Sequence, residues 1–392
     1  AVGALALKTN ITGARNTALG FATLNLNATG ADNTAVGYAA LNVNLGSDNT
    51  AVGKSSLIAN TSGGYNTAMG ADALTANTTA SRNTAVGFES LKVNTTGNSN
   101  VAVGSEALDA NTTASYNTAI GKSSLTDNTT GAANTAVGFS ALKTNTEGAN
   151  NVAMGCGALC LSTTGAGNNA IGRNAMCANT TGSNNTAVGL QALLANTEGD
   201  NNVAIGKQAL DANTTADNNT AVGTSALSSN TTGGSNTALG VCSLYTNVSG
   251  GANIAIGFNA LKLNTASNNT AMGHCAMATN SSGTENTAIG FLALNANTTA
   301  NNNTAVGHQS LTTNTTGAGN TAVGHCALRL NLTGASNTAV GNCALQANTS
   351  DDNTATGWCA LASNTTGAQN SANSNYALRS NTTGTCNTAV GR

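Results

Sequence analysis

Charge, aromatic rings and proline are all scarce in this chain of 392 residues. Only 7% of the residues are charged and proline is absent, whereas an ordinary globular domain carries about 25% charged residues. The formal net charge of -2 offers no basic surface for nucleic acid and no polybasic strip for an anionic membrane. No apolar run approaches the ~20 residues of a membrane-spanning helix. Disordered chains are rich in proline and charge, so the 40% hydrophobic content indicates a folded chain built from small side chains.

What the sequence does contain is one short repeat that runs along the whole chain. The string NTAVG, or a close variant, begins at 23 asparagines, which lie 17 residues apart except for spacings of 16 after Asn33, Asn253 and Asn337. The consensus reads NTAVGxxALxxNTTGxx, and repeat positions are numbered from its first Asn. This pattern predicts a single uninterrupted array over residues 1–392, without capping segments.

Glycine and asparagine in the repeat predict turns and exclude helices. The three shortened copies lose their residue after position 12, and loops tolerate deletion better than strands do. The NTTGxx segment is therefore predicted to be a turn, and TAVG and ALxx are predicted to be strands. Such a coil is the unit of a parallel β-solenoid (β-roll), in which coils stack about 4.8 Å apart. We expect an all-β fold of about 23 coils, with 17 residues and two short strands per coil.

Stacked coils turn each repeat position into a column of side chains. Position 9 is almost always Leu, and position 4 is Val, Ile, Leu or Met with Thr356 and Asn373 as exceptions, so we expect these two columns to face each other inside the coil. Position 3 would then point outward, and an outward column that remains Ala indicates that another surface covers it. We therefore predict a closed homo-oligomer, with a monomeric solenoid as the alternative. The predicted oligomer-interface column includes Ala35, Ala51, Ala68 and Ala85.

The repeat resembles a known family of fibre proteins. NTAVGYAAL at 33–41 and NVAIGKQAL at 202–210 are similar to the repeats in the heads of trimeric autotransporter adhesins, and closer still to the NTAVG repeats of bacteriophage tail fibres and giant-virus fibres. The resemblance covers the whole chain. It implies a left-handed β-roll, three chains around a common axis and a surface-attachment function. Adhesin-head repeats are usually shorter than 17 residues, and the sequence shows no neck, coiled-coil stalk or membrane anchor.

Position 6 is the most variable column and collects large side chains. Aromatic and cationic residues along one edge are candidates for binding a cell-surface glycan or another filament, and the three His residues also lie in this column. The alternative is that position 6 follows a Gly turn and tolerates large residues because it is half-exposed. The aromatic residues of this candidate surface-binding column are Phe21, Tyr38, Phe88, Phe139, Phe258, Phe291 and Trp358.

The nine cysteines all lie beyond residue 150. Cys160 and Cys177 occupy position 10 of consecutive coils, and Cys326, Cys343 and Cys359 occupy position 7. Stacked cysteines about 4.8 Å apart are within disulfide range, and an extracellular fibre would be oxidised. These five residues therefore form a candidate disulfide or thiol ladder. A metal site beside the ladder, or simple filling of space by small side chains, is the alternative.

Position 12 begins an N-x-S/T sequon in most coils, as at Asn77, Asn94, Asn111, Asn213 and Asn314. These Asn side chains are either glycosylation sites or members of an internal ladder that bonds the turns to each other. Glycans every ~4.8 Å would crowd one another.

Carboxylates are scattered, and no recurrent nucleophile–base spacing or phosphate loop is present. We predict no catalytic residue, cofactor or metal, and expect the structural shaft of an extracellular, cell-surface or virion fibre. One alternative is a filament that stacks end to end. Another is ice binding through Thr columns at positions 2, 13 and 14, although Val101, Val152 and Ile254 interrupt position 2.

Overall fold

The computed structural model describes residues 1–392 and is a parallel β-solenoid, which confirms the predicted fold class. It contains 23 strands of three residues each and no helix. The chain divides into two compact units, Ala1–Asp200 and Asn201–Arg392, and each consists of the same repeating coil.

The strands occupy positions 2–4 of each repeat. In the first unit they are β1 (Thr17–Leu19), β2 (Thr34–Val36), β3 (Thr50–Val52), β4 (Thr67–Met69), β5 (Thr84–Val86), β6 (Val101–Val103), β7 (Thr118–Ile120), β8 (Thr135–Val137), β9 (Val152–Met154), β10 (Asn169–Ile171) and β11 (Thr186–Val188). In the second unit they are β12 (Val203–Ile205), β13 (Thr220–Val222), β14 (Thr237–Leu239), β15 (Ile254–Ile256), β16 (Thr270–Met272), β17 (Thr287–Ile289), β18 (Thr304–Val306), β19 (Thr321–Val323), β20 (Thr338–Val340), β21 (Thr354–Thr356), β22 (Ser371–Asn373) and β23 (Thr388–Val390).

Neighbouring strands within each unit pair in parallel, and equal repeat positions lie opposite each other. Ala18 pairs with Ala35 in the first unit, and Ala255 pairs with Ala271 in the second. The second of these pairs spans a spacing of 16 residues, so the shortened coil keeps the register of the sheet. Each repeat position therefore forms a column along its unit.

The ALxx segment is not the second strand that the sequence predicts. It lies in a run of turns, and positions 7 and 9 have positive φ, as at Ala22 (52°) and Leu24 (47°). Its amides still bond to the coils on both sides. Ala22 N–H donates to Ala4 O of the preceding coil, and Leu24 N–H donates to Ala40 O of the following one. The segment thus satisfies its backbone like a strand, while left-handed residues curve it around the narrow interior.

Position 5 requires glycine because of both its backbone conformation and its surroundings. Gly20 has a φ of 133°, and a Cβ placed on it would lie 2.5 Å from the carbonyl oxygen of Gly37 in the next coil. The same combination recurs along the column, so glycine allows the coils to stack at their close spacing. Ser374 is the one non-glycine residue at position 5 in the whole chain, and it has a φ of 143°.

The interior corrects the predicted orientation of the strand. Ala35, Ala51, Ala68 and Ala85 are all 0% exposed and lie inside the coil, so the prediction that they form an outward interface column is wrong. The position-9 side chains from Leu24 to Leu361 are fully buried and fill most of the narrow interior, which leaves room for only a methyl group on the facing strand. Since side chains alternate along a strand, positions 2 and 4 then point outward.

Two columns of buried asparagine complete the interior. At position 1, the backbone N–H of Asn33 donates to Asn16 Oδ1, and its Nδ2 donates to Gly46 O. At position 12, Asn77 Nδ2 donates both to Asn60 Oδ1 in the preceding coil and to Ala80 O in its own turn. These amides satisfy the turn carbonyls that would otherwise be buried without a partner. We call the second column the position-12 ladder.

Candidate functional surfaces

The outer strand face, formed by positions 2 and 4 of the strands, is the most regular exposed surface of each unit. Position 4 holds an aliphatic residue in every coil of the first unit, and in the second unit from Ile205 to Val340. These side chains are half-buried or exposed, with Leu19 at 48% exposure and Val323 at 36%. Thr fills most of position 2 beside them. Each unit therefore carries an aliphatic stripe bordered by Thr, with no other part of its own chain packed over it.

The stripe ends before the last strands of the second unit. Position 4 becomes Thr356 and then Asn373, and Thr356 Oγ1 donates to Asn373 Oδ1 at 2.7 Å. The polar pair marks a boundary between an apolar stretch and a polar one on the same face.

Sequence reasoning missed this surface because it assigned the aliphatic column to the interior. Burial of Ala at position 3 is the physical signal that separates the two orientations, and the repeat itself contained a hint of it. Position 4 admits Thr and Asn near the C-terminal end, whereas position 3 is Ala in all 23 strands. A column that accepts polar residues is more typical of an exposed surface than of an interior.

The aromatic members of position 6 lie on the outside, as predicted. Phe21, Tyr38, Phe88, Phe139, Phe258, Phe291 and Trp358 are all exposed. Phe258, His274, Phe291, His308 and His325 form one continuous ring stack with centroid separations of 5.0–5.4 Å. Phe21 stacks on Tyr38 in the first unit, with a centroid separation of 5.4 Å.

The ring stack limits what this column can bind. A ring within the stack has its faces covered by its neighbours, so it presents mainly its edge to solvent. Phe88 and Phe139 differ, because their column neighbours are Ala71 and Ser105 in one case and Lys122 and Cys156 in the other. Glycan or filament binding at this column stays a prediction, and Phe88 and Phe139 have no ring of their own column against either face.

The cysteines divide into a bonded pair and free thiols. Cys160 and Cys177 form a disulfide, with their Cα atoms 5.0 Å apart. Cys326, Cys343 and Cys359 are free, and we call these three the thiol ladder. Burial is the largest cause that raises the pKa of the Cys343 thiol above its ordinary value, and the neighbouring sulfurs of Cys359 and Cys326 raise it further. No group of three or more His, Cys, Asp or Glu side chains has an arrangement that could hold a metal ion.

The sequon asparagines belong to the interior. Asn77, Asn94, Asn111, Asn213 and Asn314 are all 0% exposed. Their Nδ2 atoms, which a glycan would occupy, donate to a turn carbonyl, as from Asn111 to Ala114 O at 3.0 Å. In the folded chain the position-12 asparagines therefore act as a ladder that joins the coils.

Comparison of the sequence with models of known protein families and with curated proteins found no match. The structure has no helix of the length and apolarity needed to cross a bilayer.

Proposed function

We propose that this β-solenoid is the structural shaft of a fibre on the outside of a cell or virion, and that its copies associate side by side through the outer strand face. The aliphatic stripe at position 4 is the observation that supports the proposal. Exposed, contiguous apolar surface on a folded chain is typical of an interaction site.

The size of the stripe is compatible with a stable interface. The first unit places 12 aliphatic residues at position 4, from Val2 to Val188. If each buries on the order of 60 Å², the stripe alone contributes roughly 700 Å², and a typical stable interface buries about 800 Å² per partner. The Thr column beside the stripe supplies further area.

A second copy of this chain is the partner that fits the stripe best. Its surface has the same 17-residue period, so the ridges of one copy meet the grooves of the other in every coil. With 7% charged residues, two copies also approach each other without strong repulsion. The resemblance to adhesin heads and viral fibres favours three chains around a common axis.

Light scattering coupled to size exclusion tests this proposal. The wild-type chain is expected at three times its mass of 38.2 kDa. A triple variant, Val86→Lys with Val103→Lys and Ile120→Lys, places charges on the stripe in three successive coils. We expect it to shift toward the monomer, because burying an unpaired ammonium group at an interface is costly.

A matched control carries the same charges elsewhere on neighbouring turns. Thr96, Thr113 and Thr130 are exposed at position 14, and their replacement by Lys is expected to leave the oligomer intact. A third variant, with Thr at the same three stripe positions, keeps a β-branched side chain in case the Lys variant does not fold. A wild-type chain that is monomeric at micromolar concentration, with a normal circular dichroism spectrum, contradicts the proposal. Negative-stain images distinguish separate rods from filaments stacked end to end.

A further inference from the structure

The thiol ladder places three sulfurs in successive coils at one repeat position. The amide of Cys343 donates to His325 O, and the amide of Cys359 donates to Asn342 O, both at 2.9 Å. The three cysteines are therefore held in equivalent places one coil apart. The same one-coil step separates Cys160 from Cys177, whose Cα atoms lie 5.0 Å apart in a disulfide. One coil step is thus a distance that a disulfide spans.

Cys343 has a neighbour on each side but can bond to only one of them. Cys326 is 4% exposed, and its Sγ lies 3.8 Å from both Gln309 Oε1 and His325 Nε2. Cys343 and Cys359 are both only partly buried, and no hydrogen bond holds either of their thiols as Gln309 and His325 hold that of Cys326. The surroundings therefore separate one enclosed thiol from two more accessible thiols that lie one coil apart.

We propose that Cys343 and Cys359 are a redox-active pair, which a small-molecule disulfide such as glutathione disulfide oxidises, while Cys326 remains a thiol. The thiolate of one cysteine attacks glutathione disulfide, forms a mixed disulfide and releases one glutathione thiolate. The second cysteine, as its thiolate, attacks the protein sulfur of that mixed disulfide and releases the second glutathione. The two protons lost by the cysteines go to the two glutathione thiolates, so one protein disulfide and two reduced glutathiones result. This inference does not depend on the proposed fibre function.

Peptide mapping after oxidation in glutathione disulfide identifies the pair. Trypsin places Cys343 and Cys359 together in peptide 330–379 and places Cys326 in peptide 263–329. After alkylation under denaturing conditions, we expect peptide 330–379 to be two hydrogens lighter and unalkylated at both cysteines. Cys326 is expected to be alkylated. The Cys160–Cys177 disulfide joins peptides 144–173 and 174–207, and its detection shows that the buffer is oxidising enough.

Two variants separate the pairings. Cys326→Ser is expected to keep the internal loop in peptide 330–379, whereas Cys359→Ser is expected to leave Cys343 alkylated. A cross-link between peptides 263–329 and 330–379 in the wild-type chain overturns the assignment. Two other results also overturn the assignment. One is full alkylation of Cys343 and Cys359 while the Cys160–Cys177 pair is oxidised, and the other is a covalent dimer linked through peptide 330–379.

Discussion

At the residue scale, buried asparagine side chains hydrogen-bond successive coils to each other. Most position-12 amides donate to their own turn and to the coil before it, as Asn94 Nδ2 does with Gly97 O and Asn77 Oδ1. Asn179, Asn264 and Asn348 donate only to their own turn. A chain of such bonds inside a low-dielectric interior is mutually reinforcing. The cost is that one missing amide leaves buried polar atoms without partners.

Ser162 is such a gap in the position-12 ladder. It is fully buried, and both its Oγ and the Oδ1 of Asn145 in the preceding coil lack a hydrogen-bond partner. Replacing Ser162 with Asn is expected to restore the bonds to Asn145 and to the local turn. We expect stabilisation of about 1–2 kcal/mol, measured by urea denaturation and by slower amide exchange in coils 134–185.

The reverse change provides the control for this prediction. Asn111→Ser copies the natural gap into an intact stretch of the ladder, and a loss of similar size is expected there. Ser162→Ala, which removes the hydroxyl without rebuilding the ladder, should change stability much less. A destabilised Ser162→Asn chain would show that the interior at this coil has no room for the amide.

Residue types alone predicted the turns and the buried Leu column but not which strand side chains face inward. Both Ala and Val are compatible with an interior, so the sequence pattern allowed either orientation. The decision depends on volume: Leu24 and its equivalents occupy the space, and only Ala18 and its equivalents fit opposite them. The volume inside a closed coil is set by the path of the whole backbone, which a residue pattern does not contain.

At the scale of one coil, the turn after position 12 is the segment that absorbs changes in length. In a 17-residue coil, Asn27 Nδ2 reaches Gly30 O, three residues on. In the shortened coil, Asn44 Nδ2 reaches Gly46 O, two residues on, and still bonds to Asn27 Oδ1. Asn264 and Asn348 in the other two short coils also reach a carbonyl two residues on, but they donate no bond to the preceding coil, and Asn247 Oδ1 and Asn331 Oδ1 have no partner. The deletion was correctly predicted to fall in a turn, because in all three coils the bond from asparagine to the turn carbonyl adjusts to the shorter segment.

Deleting Thr130 should reproduce a natural short coil. The result, Asn128-Thr129-Gly131, has the same Asn-x-Gly spacing as Asn44 to Gly46. We expect melting within a few degrees of the wild type by circular dichroism. Deleting Ala119 instead shifts the strand by one residue and drives Ile120 into the interior, so a clear loss of melting temperature and of local amide protection is expected. Equal effects of the two deletions would contradict the assigned boundary between turn and strand.

The prediction that ALxx forms a second strand was wrong because of the backbone conformation of this segment. Alternation of small and polar residues in ALxx is typical of a strand, and its amides do bond between coils. Positive φ at non-glycine positions such as Leu41 (50°) is rare enough that sequence rules do not anticipate it. Repetition makes it tolerable, since every coil adopts the same conformation and its neighbours hold it in place.

On the scale of the whole molecule, each coil depends mainly on its two neighbours, as in other repeat proteins. Removing one complete repeat, residues 117–133, brings Asn134 onto Asn100 in the register that Asn117 had. We expect a folded protein with nearly unchanged circular dichroism per residue and little change in melting temperature. Removing 117–124 breaks the period and should unfold the surrounding coils. A complete-repeat deletion that is as damaging as the partial one would contradict nearest-neighbour stability.

The position-12 ladder also gives each unit a direction. The amide bonds between successive members of the ladder run from the later coil to the earlier one, as from Asn128 to Asn111 and from Asn297 to Asn280. During synthesis the earlier coil emerges first and offers a carbonyl oxygen, and the next coil arrives with the matching donor. Where the ladder is continuous, the most recently folded coil thus offers an acceptor to the next coil, which suits folding one coil at a time as the chain leaves the ribosome.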